Sequence, residues 1–175
     1  MRSRRLLPPK GKYLESRAAV RVRFQEVDAL HVVWHGHYLA YLEDARVDFG
    51  RAYGLRYEDI RAAGLMAPVV SLACNYLQPA WFDDRLEVVT RLYQRETATI
   101  EFYYEIRRAE GWENGDKPLL SRGGLSPFSR PFSLLAVAQT TQAFADEQGV
   151  LMLTMPPLLR DFYARWEGSM RSSDE

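Results

Sequence analysis

The fold is decided by one stretch of sequence, YLAYLEDARVDFGRAYG, which occupies residues 38–54. Its apolar side chains recur at steps of three and four residues, a spacing that places them on one face of an amphipathic helix. Gly54 stands where a helix-terminating glycine is expected. We therefore predict a helix that ends at Tyr53 and is about 17 residues, or about 25 Å, long. Its apolar face comprises Tyr38, Tyr41, Leu42, Ala45, Phe49, Ala52 and Tyr53.

The segments on either side alternate apolar and polar side chains, which predicts β-strands. An antiparallel sheet must bury its apolar face, and the predicted helix is the only apolar partner of sufficient length. We expect an α+β fold in which a curved antiparallel sheet of about five strands wraps around one long central helix. The predicted strands are 20–24, 70–76, 86–92, 100–106 and 134–144, with a short apolar run at 150–153 and short helices at 57–63 and 158–166.

The bulk composition favours one domain and excludes some functions. A chain of 175 residues fits a single core, and the equal counts of 23 basic and 23 acidic residues give no field that would attract nucleic acid. No apolar run is long enough to span a membrane, and the single cysteine, Cys74, favours the cytoplasm. We predict a flexible basic arm at 1–18, one domain at 19–168 with a loop insertion at 111–131, and a disordered tail at 169–175.

All three histidines of the chain, His31, His35 and His37, follow Asp28 within nine residues. One carboxylate and three imidazoles could form a metal site. However, His35 and His37 flank Gly36 without the helical spacing of a zinc motif. We predict no metal and no cofactor. Asp28 could instead act as a base or nucleophile, or simply bond backbone amides of its own loop.

Several short motifs, taken together, resemble one family. They are Asp28-Ala29, Val32-Val33, His35, Tyr38-Leu39, Glu43-x-Ala45-Arg46, Tyr76-x-x-Pro79-Ala80, Asp83-Asp84-x-Leu86, Phe144-Ala145-Asp146 with Gly149, and Met155-Pro156. In this pattern the chain resembles the hotdog-fold acyl-CoA thioesterases of the 4-hydroxybenzoyl-CoA thioesterase type. The resemblance implies a hotdog fold and an enzyme that hydrolyses an acyl-CoA thioester to a free acid and CoA. It places Asp28 at the catalytic carboxylate position and His35 at that of the active-site histidine.

The chemistry of thioester hydrolysis assigns roles to the neighbouring residues. Asp28 would be the general base or the nucleophile, and the sequence leaves both open. The first helical turn offers unpartnered amides for the oxyanion around His35 to His37, and Gly36 would let the carbonyl oxygen approach closely. Trp34 and Tyr38, with Phe49, would be walls of the acyl site.

Other residues would support the reaction without contacting the thioester carbonyl. Glu43 and Arg46 lie three residues apart and are expected to pair on the helix, with an acidic side chain there also able to steer Asp28 or water. The substrate would be acyl-CoA or an acyl carrier's phosphopantetheine arm, whose phosphates need cationic partners. Candidate partners are Arg85, Arg91, Arg95, Arg107, Arg108, Arg122 and Arg130.

Three departures from the family pattern leave the identity of the acyl group undetermined. Two alternative functions also agree with the sequence. Phe24 stands where some members have tyrosine, His31 where many have glycine, and Gln142 where histidine is frequent. The alternatives are an enoyl-thioester hydratase or dehydratase of the same fold, and a non-catalytic acyl-thioester binding module. In each case a curved sheet with open edges predicts a homodimer or tetramer, with the site near the subunit interface.

Overall fold

The computed structural model describes residues 5–109 and 134–173. Three helices and eight strands lie in these ranges, and the predicted loop at 111–131 lies outside them. The helices are α1 (His35–Tyr53), α2 (Tyr57–Ala62) and α3 (Pro157–Trp166). The strands are β1 (Lys12–Arg21), β2 (Leu65–Met66), β3 (Val69–Tyr76), β4 (Arg85–Tyr93), β5 (Thr99–Arg108), β6 (Leu134–Ala143), β7 (Ala145–Asp146) and β8 (Arg171–Ser172).

The predicted α+β class is confirmed. Six strands form one sheet in the order β3-β6-β5-β4-β1-β8, and each neighbouring pair is antiparallel. Five of these strands are long and the sixth, β8, has two residues. The remaining two strands, β2 and β7, form a separate two-stranded sheet. Strand β3 is therefore an edge of the main sheet within the described residues.

Helix α1 packs most of its predicted apolar face on the sheet, although Ala52, which was predicted to be part of that face, is exposed. Tyr38, Leu42 and Phe49 are each at most 2% exposed, and the Phe49 ring lies edge-on to Phe102 of β5 with centroids 5.3 Å apart. The helix ends as predicted, because Gly54 has a φ of 76°, a left-handed conformation that glycine adopts without a Cβ clash. Its start at His35 lies three residues before the apolar pattern begins.

Both predicted ends of the domain are wrong. Strand β1 begins at Lys12, inside the predicted arm, and ends at Arg21 rather than Phe24, which opens a short 3₁₀ turn. The consecutive small residues Ala18 and Ala19 hide the alternation of β1, in which Leu14 and Ala18 face the core. At the other end, β8 lies in the predicted tail and pairs with Lys12 and Tyr13 of β1.

No helix in the described ranges is long and apolar enough to cross a membrane. The cytoplasmic location stays a prediction.

Candidate active site

Asp28 lies in a tight turn that leads into α1. The His31 N–H donates to the Asp28 carbonyl oxygen at 2.9 Å, and the Asp28 N–H donates to Val32 O at 2.9 Å. The Leu30 N–H donates to the carboxylate Oδ1 of Asp28 at 2.8 Å. Among residues 5–109 and 134–173, no hydrogen bond reaches the second carboxylate oxygen, Oδ2. The carboxylate thus stabilises the turn with one oxygen and keeps the other available.

The turn also explains His31. Its φ of 61° is left-handed, and histidine is among the non-glycine residues that tolerate this region. The imidazole is exposed, and the backbone conformation alone accounts for the position of this residue in the turn.

The start of α1 offers two unpartnered amides. The His37 N–H donates to Trp34 O at 2.9 Å, and Trp34 provides no side-chain cap. Within the part of the chain that the structure describes, the N–H groups of His35 and Gly36 have no acceptor. These two donors also lie at the positive end of the helix dipole. The sequence predicted oxyanion donors among the amides of His35, Gly36 and His37. The His37 amide already donates to Trp34 O, so the other two remain as candidate donors.

The position of the Trp34 indole requires a glycine at residue 36. A Cβ at Gly36 would lie 2.0 Å from Cζ3 of the Trp34 indole, so only glycine permits the indole to lie against the helix. The indole also contacts the imidazoles on either side of the glycine, with ring centroids 4.9 Å from His35 and 5.6 Å from His37. Trp34 is 49% exposed, which fits the predicted role as a wall at the mouth of a site.

His35 is exposed and is held by Tyr76 of β3. The Tyr76 hydroxyl donates to the His35 carbonyl oxygen at 3.0 Å, and the two ring centroids are 6.2 Å apart. Burial raises the pKa of Tyr76 to about 12, so the phenol remains a donor at neutral pH. No hydrogen bond joins the His35 imidazole to Asp28 within the described ranges. The sequence motif contained Tyr76 but gave it no role at the site.

The other two predicted walls are buried. Tyr38 is 2% exposed, and its hydroxyl accepts a hydrogen bond from the Ala80 N–H at 3.1 Å. Its ring packs against Tyr76 with centroids 5.2 Å apart, so it supports a wall rather than forming one. Phe49 is 0% exposed in the core, where its ring packs against Phe102, and its role as a wall of the acyl site stays a prediction.

Glu26 is a buried carboxylate that the sequence reasoning missed. It is 9% exposed and accepts hydrogen bonds from the Tyr41 hydroxyl and the Arg23 N–H, both at 2.7 Å. Its own carbonyl oxygen accepts the Trp34 N–H at 2.9 Å. Burial and the bond to Glu26 raise the pKa of Tyr41, which keeps this hydroxyl protonated. Glu26 therefore holds both ends of the segment 26–34, which contains Asp28, against α1. In the sequence, the Arg23-x-x-Glu26 spacing was the pattern that could have indicated a role for Glu26.

Glu43 and Arg46 form the predicted pair, but they do not reach Asp28. Arg46 is 8% exposed, and its Nε donates to the Tyr57 hydroxyl at 2.8 Å. Tyr57 in turn donates to Glu43 Oε1 at 2.6 Å. Glu43 lies eight residues beyond His35, which is about 12 Å along the helix axis. The trio is a separate cluster on the same helix.

Most of the candidate phosphate-binding arginines have partners within the protein. Arg91 pairs with Glu15 and Glu105, and Arg108 pairs with Asp84. Arg95 and Arg107 also pair with glutamates of β5. Arg122 and Arg130 lie outside the described residues. In the described ranges, no group of three or more His, Cys, Asp and Glu side chains has an arrangement that could hold a metal ion.

Comparison with known proteins identifies the family. A model of the "Thioesterase-like superfamily" matches residues 22–162. The chain belongs to this superfamily. A curated relative in Escherichia coli O6:H1, the acyl-CoA thioester hydrolase YbgC, is 31% identical over 91 residues, which cover 52% of this chain and 68% of that protein. A protein of Aquifex aeolicus is 37% identical over 84 residues, which cover 48% of this chain and 66% of that protein. For two further curated relatives the matched region covers 52% and 54% of the relative's own length, so this chain spans about half of each.

Solved structures of other proteins share the fold of this chain. A hypothetical protein from Thermus thermophilus, TT1821, superposes with a TM-score of 0.64 at 30% identity, over 89% of this chain and 97% of that chain. A 4-hydroxybenzoyl-CoA thioesterase in complex with 4-hydroxybenzoyl-CoA gives a TM-score of 0.64 at 18% identity, over 85% and 97% of the two chains. The predicted hotdog fold is therefore confirmed.

Proposed function

We propose that the protein is an acyl-CoA thioesterase that hydrolyses a thioester to a free acid and CoA. The observation that carries this proposal is the pairing of one available carboxylate oxygen on Asp28 with two unpartnered amides at the start of α1. A thioester carbonyl placed between them would meet a base or nucleophile on one side and oxyanion donors on the other. Membership of the thioesterase-like superfamily and similarity to the E. coli acyl-CoA thioester hydrolase support it.

Two routes use the same groups. In the first, Asp28 takes a proton from water as the water oxygen attacks the carbonyl carbon, and the oxyanion is held by the His35 and Gly36 amides. Collapse breaks the C–S bond, and the CoA thiolate receives the proton from Asp28. In the second, Asp28 attacks the carbonyl carbon, expels the thiolate and forms an anhydride that water then hydrolyses. General-base help is worth about 10²–10⁴ in rate, and one oxyanion donor about 10²–10³.

In this proposal the surrounding residues position the thioester. Trp34 covers one side of the helix start, and Tyr76 fixes the His35 carbonyl oxygen from the other. The exposed imidazole of His35 would orient the thioester or the attacking water, because a neutral imidazole has one ring nitrogen that donates and one that accepts a hydrogen bond. His37 lines a separate groove beside β1 together with Glu26 and Tyr41, and we assign it no contact with the thioester.

Free thiol release from acyl-CoA tests the proposed activity. The wild-type protein is incubated with acyl-CoAs of short, long and aromatic acyl groups, and the CoA thiol is measured. We expect release from at least one substrate class at a rate well above the protein-free background. Enoyl-CoA is included because a hydratase would consume its double bond without releasing thiol. Substrate binding without either reaction would contradict the proposal and support a binding module.

We also propose that a second copy of the chain covers the site through the β3 edge. The side chains of Val69, Val70, Leu72 and Tyr76 on this strand are 42–57% exposed. An unpaired edge of this kind is a template for pairing with another strand, and Tyr76 places one end of it beside His35. The candidate site would then lie near the interface of a homodimer, and two dimers could form a tetramer.

A charge at the centre of β3 should weaken this assembly. In an antiparallel pairing of two β3 strands, Ala73 lies near the symmetry axis and meets its counterpart, so Ala73→Asp would bring like charges together. We expect a higher dimer dissociation constant in sedimentation equilibrium and a parallel loss of thioesterase activity. Thr97→Asp, in the exposed β4–β5 turn, is the matched control. Equal dissociation constants for the two variants would contradict the β3 interface.

A further inference from the structure

The segment before β1 crosses the outer face of the main sheet, which is the face that points away from α1. One end is held next to β8, where the Gly11 N–H donates to Ser173 Oγ at 2.9 Å and the Ser173 N–H donates to the Gly11 carbonyl oxygen at 3.2 Å. The other end reaches β3, where the Leu6 N–H donates to Asn75 Oδ1 at 2.6 Å. We call residues 5–11 the strap. It runs from one edge of the described sheet to the other.

The strand register shows which side chains lie on the outer face. Tyr103 of β5 lies between Phe102 and Tyr104, which belong to the core that α1 packs against. Successive residues of a strand point to opposite faces, so Tyr103 projects from the outer face. The same alternation places Tyr93 of β4 and Val137 of β6 on that face.

These three side chains form an apolar patch that is closed to water. Tyr93, Tyr103 and Val137 are each at most 2% exposed, and Leu6 of the strap packs against their cluster. Burial raises the pKa of Tyr103 to about 12, and the charge of Arg5 in the strap opposes this rise. The remaining members of this cluster, which we call the outer patch, are Tyr13, Leu77 and Leu134. The strap therefore covers apolar surface that lies outside the main core.

The charges around the outer patch would not repel a second copy of the same face. Arginine–glutamate ion pairs surround the patch, so neither sign of charge is in excess. These pairs are Arg17–Glu87, Arg91–Glu15, Arg95–Glu101 and Arg107–Glu105.

The outer face is also large enough to form an interface. The five long strands present a face of about 24 Å by about 30 Å, or about 700 Å² per copy. A stable interface of standard size buries about 800 Å² per partner. Two such faces could therefore associate if the outer patch were open.

We propose that the outer patch is a second self-association surface, separate from the β3 edge, and that the strap keeps it closed. Two sheets that pack face to face bury the apolar side chains between them about 10 Å apart, and the strap occupies that space. Two copies can then meet through their outer faces only after the strap is released. A tetramer built from two β3-edge dimers would need this release or another surface.

Leu6→Asp tests the proposal, because a carboxylate cannot lie against the outer patch without a partner and should release the strap. Sedimentation velocity gives the mass of the variant and the wild type over a wide range of protein concentration. We expect Leu6→Asp to form a species of twice the wild-type mass. Leu7→Asp is the matched control, since Leu7 is 64% exposed, and it should keep the wild-type mass. The comparison holds whatever the wild-type assembly is, so it does not depend on the β3 interface or on the proposed hydrolysis.

Two further variants show where the association occurs. Leu6→Asp/Tyr103→Glu places like charges at the centre of the two open patches and should return to the wild-type mass. If Leu6→Asp does not fold, Asn75→Ala removes only the acceptor of the Leu6 N–H and should raise the self-association constant severalfold. A Leu6→Asp protein that keeps the wild-type mass, or that forms aggregates of no defined mass, would overturn the inference. Doubling that survives in Leu6→Asp/Tyr103→Glu would do the same, because it would show that another surface is used.

Discussion

Asp28→Asn is expected to lower kcat for thioester hydrolysis at least about a hundredfold, the lower limit of general-base catalysis. The substitution leaves the turn intact, because an asparagine side-chain oxygen can still accept the Leu30 N–H that Asp28 Oδ1 accepts at 2.8 Å. What it removes is the charge and basicity of the second oxygen. Initial rates of thiol release, measured with the wild type and the variant at saturating acyl-CoA, give the ratio directly.

The matched control for this prediction is Asp28→Ala. Alanine removes both the base and the turn hydrogen bond, so it should lose the activity and also about 1 kcal/mol of stability. The asparagine variant should instead unfold at nearly the wild-type temperature. An Asp28→Asn protein that keeps wild-type kcat would show that the carboxylate serves the turn alone, and the assignment of Asp28 as base or nucleophile would be wrong.

Local sequence patterns predicted the features that depend on local physics. The 3.6-residue spacing of the α1 core face and the left-handed position of Gly54 are set within single turns of the chain, and both are confirmed. The Glu43–Arg46 pair follows from helix geometry in the same way. The third member of that cluster, Tyr57, was not predicted because it depends on where α2 packs, which no spacing within α1 encodes.

The candidate site also combines features that local sequence predicts with features that it does not. The sequence placed Asp28 beside the entrance of α1, and the structure keeps both within one hydrogen-bonded segment. It could not show that the His37 amide is used by Trp34, or that the Trp34 indole occupies the space beside Gly36. The first contact depends on how the backbone closes the first turn of α1, and the second depends on the rotamer of Trp34. The buried carboxylate of Glu26 was missed for a similar reason, since its partner Tyr41 is 15 residues away.

Glu26→Ala should have the largest effect on stability among the residues that hold the site, about 3 kcal/mol. The substitution leaves the hydroxyl of Tyr41 without an acceptor, and Tyr41 is 3% exposed. It also releases the Arg23 N–H, which Glu26 accepts at 2.7 Å. Each unsatisfied buried group costs about 1–3 kcal/mol. Chemical denaturation of the variant and the wild type under identical conditions gives the difference in free energy of unfolding.

A double-mutant cycle with Tyr41→Phe tests whether this loss comes from the Tyr41–Glu26 contact. Residues in direct contact couple by about 0.5–3 kcal/mol, so Glu26→Ala/Tyr41→Phe should be clearly more stable than the sum of the single losses predicts. Glu26→Gln is the conservative control, because its amide oxygen can still accept the Tyr41 hydroxyl, and it should retain most of the stability. If Glu26 stabilises the fold only by filling space, the losses in free energy of unfolding of the two single variants will add up to the loss of the double variant. If Glu26 also fastens the Asp28 segment to α1, kcat will fall in Glu26→Ala even under conditions where the variant is fully folded.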